Sequence, residues 1–152
     1  VTVYVSAPLR GGSGADGRDA ADGARLALAR TEGRIGELRV RAVYLDDTTG
    51  SATRARWSGA RAAANARRAA QDSTAIAYVG DFESGATRSS LPVTNQARML
   101  QVSPASAAVD LVQPYLGAGD QVPGDTQPTG ERTFGRVIPG DDVQAQAAAR
   151  WA

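Results

Sequence analysis

The stretch Val1-Thr2-Val3-Tyr4-Val5-Ser6-Ala7-Pro8-Leu9-Arg10-Gly11-Gly12-Ser13-Gly14-Ala15-Asp16-Gly17 decides the fold. Its first five residues are β-branched or aromatic, small and turn-forming residues fill its middle, and an Ala-rich segment of helical character follows. Strand, small-residue loop and helix in that order place polar backbone at the carboxyl edge of a parallel sheet, where open α/β folds bind small ligands.

Working outward, four more β-rich runs alternate with helical segments. Residues 38–45, Ala75–Val79, 99–102 and 133–138 carry the Val, Ile, Tyr and Phe of buried strands. Residues 19–30 set Ala20, Ala24, Ala27 and Leu28 on one helical face, with Gly33 and Gly36 as stop and turn. A second helix is predicted over 52–71, with Trp57, Ala60, Ala64 and Ala70 on its packing stripe and Arg54, Arg61, Arg67 and Arg68 facing water. A third, 85–97, contains Pro92 and so is expected to kink or to begin near it. A last helix, 141–152, starts on two acids that suit a positive N-terminus. The alternation predicts right-handed βαβ crossovers and a five-stranded parallel sheet in the order 2-1-3-4-5, covered on both faces. Residues 112–132, rich in Gly, Pro, Asp and Gln and without a period, read as a surface excursion.

Composition removes many functions. At 152 residues the chain fits one domain with one substantial core. Net charge is +1, with Arg and acids interspersed, so no field is available to hold nucleic acid. All 17 basic side chains are Arg, and Lys, His and Cys are absent, a bias that suits a GC-rich bacterial genome. The absences exclude thiolate nucleophiles, imidazole bases, the usual zinc sites, Schiff-base lysines and the Walker phosphate lysine. No run approaches the ~20 apolar residues that cross a bilayer, and the start lacks the pattern of a signal peptide.

Gly12-Ser13-Gly14-Ala15-Asp16-Gly17 matches G-x-G-x-x-G literally. In the dinucleotide fingerprint the glycines follow their strand almost at once, and an acid about 20 residues on reaches the ribose. Here several loop residues intervene, and Asp46-Asp47 come about 30 positions after Gly17. The glycines therefore read as a flexible turn ahead of a helix. The alternative is a Rossmann-like nucleotide-binding or small enzyme domain using this glycine loop with Asp46 and Asp47. Neighbours on a strand end point in opposite directions, however, so the two acids are poorly placed to share a proton or a metal. Capping or loop-tying is their ordinary use. A response-regulator-like module, which an acidic strand end also suggests, would want a lysine that is missing.

Gly80-Asp81-Phe82-Glu83-Ser84-Gly85-Ala86-Thr87 ends a strand and opens a helix with small hydroxyl residues. Free N–H groups and a hydroxyl there can hold a carboxylate without a formal positive charge, and Ser84 can equally serve as a helix cap. Ser103-Pro104-Ala105-Ser106-Ala107, after the fourth strand, follows the same logic, with small side chains that let a ligand approach the backbone.

These segments, with Gly23-Ala24-Arg25-Leu26-Ala27, Tyr44-Leu45-Asp46-Asp47 and Phe134-Gly135-Arg136-Val137-Ile138-Pro139, occur in an order that resembles the amino-terminal lobe of type I periplasmic binding proteins. The likeness is to the leucine/isoleucine/valine-binding branch that serves ABC transporters. It implies a Rossmann-like three-layer α/β lobe, residues 1–152, whose second lobe is absent from this chain. It implies further an extracytoplasmic, noncatalytic solute-binding role without cofactor or metal, an amino acid or related small molecule as ligand, and a membrane permease as partner. A lipid anchor on the full precursor is compatible with that role. An isolated lobe is expected to bind weakly, since closure buries the ligand between two walls, and to self-associate through its exposed face.

By position, the resemblance assigns Ser84 as hydroxyl donor to the ligand carboxylate, with Gly85 beside it. It assigns Ala105 as carbonyl acceptor for the ammonium and Ala107 as a backbone N–H donor, with Ser106 between them. Asp16 and Glu83 fall at the rim as specificity residues. The family often carries Thr where this chain has Ala107, a charge-assisted bond of roughly 1.5 to 3 kcal/mol, and an aromatic where it has Asp16. Glu83 adds a negative charge directly before Ser84. These departures speak against a plain branched-chain amino acid and leave a cationic, amide-like or differently shaped ligand open.

Overall fold

The computed structural model describes all of Val1–Ala152. Five strands, β1 (Thr2–Ala7), β2 (Arg41–Asp46), β3 (Ala75–Val79), β4 (Leu100–Ser103) and β5 (Phe134–Arg136), form one sheet in the order β2-β1-β3-β4-β5. Every pairing is parallel, with Val5 opposite Tyr44 on one side and Val79 on the other, and Val102 opposite Gly135. This is the expected 2-1-3-4-5 order. Four helices join or follow the strands: α1 (Gly14–Arg30), α2 (Gly59–Gln71), α3 (Ser84–Gln96) and α4 (Asp141–Trp151).

The order reverses at β1, so right-handed crossovers put α1 on one face and α2 with α3 on the other. Under α2 and α3 lies the core of Tyr4, Leu45, Ala66, Ala69, Tyr78 and Met99, continued by Leu91, Leu111 and Phe134. Burial of side chains of this size supplies roughly 1.5 to 3 kcal/mol each. On the other face α1 buries only Gly14, Gly17 and Ala21, and α4 buries no residue at all.

Several boundaries differ from the sequence expectation, each for a local reason. The second helix begins at Gly59, because Thr48–Thr49 pairs antiparallel with Arg56–Trp57 in a hairpin that occupies the predicted first turns. Its packing stripe is Ala62, Ala66 and Ala69, while Ala60, Ala64 and Ala70 are exposed. In a helix this rich in alanine, composition alone does not choose the stripe. On α1, Ala27 is exposed, and the face toward the sheet runs through Gly14, Gly17 and Ala21. The predicted strand 38–45 divides into Leu38–Arg39, paired with Arg34–Ile35 in a hairpin, and β2. Helix α3 runs from Ser84 through Pro92 to Gln96 as one helix, losing the backbone bond that a residue with an N–H would make at that position.

The excursion 112–132 forms neither helix nor strand. Two buried amides anchor it. Asn95 donates to the Glu131 carbonyl at 2.9 Å and accepts from Thr129 N–H at 2.9 Å. Gln127 donates to the Leu111 carbonyl at 3.2 Å and accepts from Thr133 N–H at 2.9 Å.

Candidate ligand-binding site

The loops that leave β1, β2, β3 and β4 meet at the carboxyl edge of the sheet. Close packing requires glycine at two positions of the loop. At Gly11, with φ +74°, a Cβ would strike the Ala55 carbonyl of the hairpin, and at Gly17 a Cβ would strike the Pro8 carbonyl. These two glycines let backbone lie on backbone, whereas a Cβ at Gly12 would meet nothing within 4 Å and one at Gly14 would lie 3.2 Å from Arg18 and 3.3 Å from Leu9.

Loops 80–84 and 103–108 are joined by buried hydroxyls. Ser103 Oγ donates to the Asp81 carbonyl at 2.7 Å and accepts from Ser106 N–H at 2.8 Å and Ala105 N–H at 3.2 Å. Ser106 Oγ lies 2.7 Å from Thr87 Oγ1 and donates to the Asp81 carbonyl at 3.0 Å. Ser106 is fully buried, so of the predicted contacts its side chain is directed inward and clamps the two loops together. Ser84 opens α3 at a partly exposed position, and its hydroxyl accepts from Ala108 N–H at 3.3 Å. No side chain caps this helix, so the first-turn N–H groups of Ser84, Gly85 and Ala86 lack intrahelical acceptors.

On the facing loop, Arg136 Nη1 donates to the carbonyls of Ala107 and Ala108, both at 2.8 Å, and Asp141 N–H to that of Ala107 at 2.9 Å. The Ala105 carbonyl and the Ala107 N–H take part in no hydrogen bond within the chain. These are the two backbone groups assigned from sequence. One donor, one acceptor and a helix N-terminus on a rigid frame suit the carboxylate and ammonium of a small zwitterion.

Of the two rim acids, Glu83 is half-buried and accepts from Ser13 Oγ at 3.1 Å. It lines a cleft of about 670 Å³ with Arg10, Ser13, Arg54, Arg56 and Trp57. Asp16 is exposed on the first turn of α1, forms no hydrogen bond or ion pair, and does not line that cleft.

Asp46 and Asp47 point apart, as adjacent strand-end residues must. Asp46 accepts from Leu9 N–H at 3.1 Å, Arg10 Nε at 2.6 Å and Thr48 N–H at 3.0 Å. Burial opposes its ionisation, but these donors outweigh burial and hold its carboxyl below the usual range. Asp47 is fully buried and neither of its oxygens has a partner. Burial, then the neighbouring charge of Asp81, pushes it up to about 8. Asp81 is also fully buried, and burial raises it, partly offset by the hydroxyls of Ser90, Ser6 and Tyr78. Tyr78 Oη donates to Asp81 Oδ1 at 3.2 Å.

The buried Asp47 and Asp81, and the cleft formed by Arg54, Arg56 and Trp57, were not singled out as such from sequence. Alternating burial along β2 signals the inward position of Asp47, since Leu45 and Asp47 share a face. Nothing local signals the hairpin that carries Trp57.

No protein-family model matches the sequence, and no curated protein matches it. Solved structures do. A leucine-binding protein LivK from Thermotoga maritima matches at TM-score 0.75 and 24% identity, over 100% of this chain and 36% of that one. The branched-chain amino acid transporter substrate-binding protein LivJ from Streptococcus pneumoniae, in complex with isoleucine, matches at 0.68 and 20%, over 93% of this chain and 34% of that one. A solute-binding protein of an ABC transporter from Rhodopseudomonas palustris BisB5, in complex with 3,4-dihydroxybenzoic acid, matches at 0.69 and 13%, over 91% and 32%. The chain thus has the fold of one part of ABC-transporter substrate-binding proteins and spans about a third of their length.

Proposed function

We propose that residues 1–152 are the amino-terminal lobe of a two-lobed extracytoplasmic solute-binding protein that delivers an amino acid or related small carboxylate to an ABC-transporter permease. The observation that supports this best is the unengaged pair, Ala105 carbonyl and Ala107 N–H, facing the open N-terminus of α3 at Ser84. On this reading the edge is the wall that the lobe turns toward its second lobe. Ser84 donates its hydroxyl to the ligand carboxylate, Ala107 N–H adds a second donor, and the Ala105 carbonyl accepts from the ammonium.

The role is noncatalytic. The chain has no Cys, His or Lys, and its two acids of raised pKa, Asp47 and Asp81, are fully buried and out of reach of a substrate. The nucleotide-binding alternative is weakened, since the last glycine of its motif, Gly17, packs on Pro8 and Asp46 is tied to Leu9, Arg10 and Thr48.

Isothermal titration of the two-lobed receptor containing this lobe with a panel of amino acids tests the assignment. Ser84→Ala is expected to weaken binding by roughly 1.5 to 3 kcal/mol, about ten- to a hundredfold, at unchanged thermal stability. Equal affinity in the variant would remove Ser84 from the site.

A further inference from the structure

The cleft beside Ser84 carries charge that the lobe does not use. Arg10 is engaged by Asp46 at 2.6 Å and by the carbonyls of Gly50 and Thr48 at 3.1 and 3.2 Å. Arg54 and Arg56 line the same cleft, are exposed, and make no side-chain hydrogen bond or ion pair. The one carboxylate on the lining, Glu83, already accepts from Ser13. The lining therefore holds two uncommitted guanidiniums and one carboxylate.

Trp57 connects this cleft to Ser84. Its six-membered ring lies on Gly85, so closely that a Cβ there would fall 2.8 Å from Cζ2 and nearer still to Cη2. The indole leans over the first turn of α3, yet remains 41% exposed. Hairpin pairing fixes this placement, with Thr48 opposite Trp57 and Thr49 opposite Arg56. A ligand held by its carboxylate at Ser84 would pass its side chain across the indole toward Arg54 and Arg56.

We infer that this cleft is a subsite for a second carboxylate, borne on the ligand's side chain, which Arg54 and Arg56 receive and Trp57 walls. The inference rests on the amino-acid reading of Ser84 and deepens it. Planar guanidiniums bind a carboxylate in two-point fashion, and the apolar wall lowers the competition from water. The ligand is then an acidic amino acid with a side chain of several carbons. A cationic ligand, left open by Asp16 and Glu83 in the sequence, would instead meet two like charges.

The 152-residue chain itself serves for the test, with Trp151→Phe so that indole fluorescence reports Trp57 alone. Leucine and 2-aminoadipate are titrated while the amide resonances of Ser84, Gly85 and Ala107 are followed. The expected result is that both ligands shift these amides, that only 2-aminoadipate changes Trp57 emission, and that it binds about tenfold or more tightly than leucine. Arg54→Gln with Arg56→Gln should abolish that preference and leave leucine unaffected. Both ligands shifting the amides equally, with no response at Trp57 or no effect of the double variant, overturns the subsite and leaves the amino-acid reading standing. Silence of the amides with both ligands up to about 50 mM, a concentration that reaches the weak binding expected of a lone lobe, overturns both. Trp57→Leu, with the hairpin retained, should weaken 2-aminoadipate more than leucine.

Discussion

The two faces of the sheet use the same small-residue alphabet but are held by different means. Beneath α2 and α3, alanines pack against large anchors, Tyr4, Leu45, Tyr78 and Met99, with Leu91, Leu111 and Phe134 adjoining. Beneath α1 there is no comparable cluster. The helix instead comes close enough for Gly17 to lie on the Pro8 carbonyl, and Arg25 stacks 4.1 Å from the Tyr44 ring centroid. One face is stabilised by burial and the other by proximity of backbone. The same division runs through the paired acids, since Asp47 sinks into the anchored face while Asp46 ties down surface loops.

The largest effect should come from that sunken acid. Folded Asp47 stays protonated up to about pH 8, whereas unfolded it ionises near ~4. Between those values the folded state binds more protons than the unfolded one, so its stabilising contribution is complete below the lower value and lost as pH rises to the upper. The fall is on the order of 5 kcal/mol across the window. Urea unfolding at a series of pH values should show the decline and a much flatter profile in Asp47→Asn. A wild-type profile that rises over this range would refute the buried-acid account.

Next in size, Leu91→Ala should cost about 2 to 5 kcal/mol, because Leu91 is fully buried between Leu111 and Phe134. Leu26→Ala on α1, where Leu26 is 55% exposed, should change stability by about 0.5 kcal/mol or less. Equal losses in the two variants would erase the distinction between the faces.

The smallest contrast lies within α1 alone. Gly17→Ala drives a Cβ into the Pro8 carbonyl and should cost about 1 to 3 kcal/mol. Gly23→Ala, where a Cβ meets nothing within 4 Å, should stabilise by about 0.4 to 1 kcal/mol. Thermal melts of the two variants should move in opposite directions.

Much of this was legible in the chain. The five β-rich runs and the small-residue loops after them point to a parallel sheet, and crossover handedness leaves it few strand orders. Topology placed the loops of Ser84, Ala105 and Ala107 at the carboxyl edge of the sheet, and the resemblance to the periplasmic binding protein lobe, not the residues' own pattern, assigned those three their roles. The second helix was legible in existence but not in orientation. With alanine at 60, 62, 63, 64, 66, 69 and 70, its pattern has little contrast, and taking Trp57 as helical turned the stripe the wrong way. Trp57 belongs to a hairpin whose partner strand is only Thr48–Thr49, too short to leave a period. Pro92 left the start of the third helix open between two places, and the helix runs through it from Ser84, with buried neighbours such as Leu91 and Thr94 on both sides.

The clamp of Ser103, Ser106 and Thr87 is made of uncharged hydroxyls shielded from solvent. Dissolved ions act on exposed charges and barely reach such bonds. From dilute buffer to brine, the bonds of this clamp should hold, while the exposed pairs Arg88–Asp110 and Arg98–Glu131 should loosen. The hydroxyl clamp is thus expected to be indifferent to salinity, so that salt dependence at this edge would report its charged groups, Arg136 on the Ala107 and Ala108 carbonyls among them.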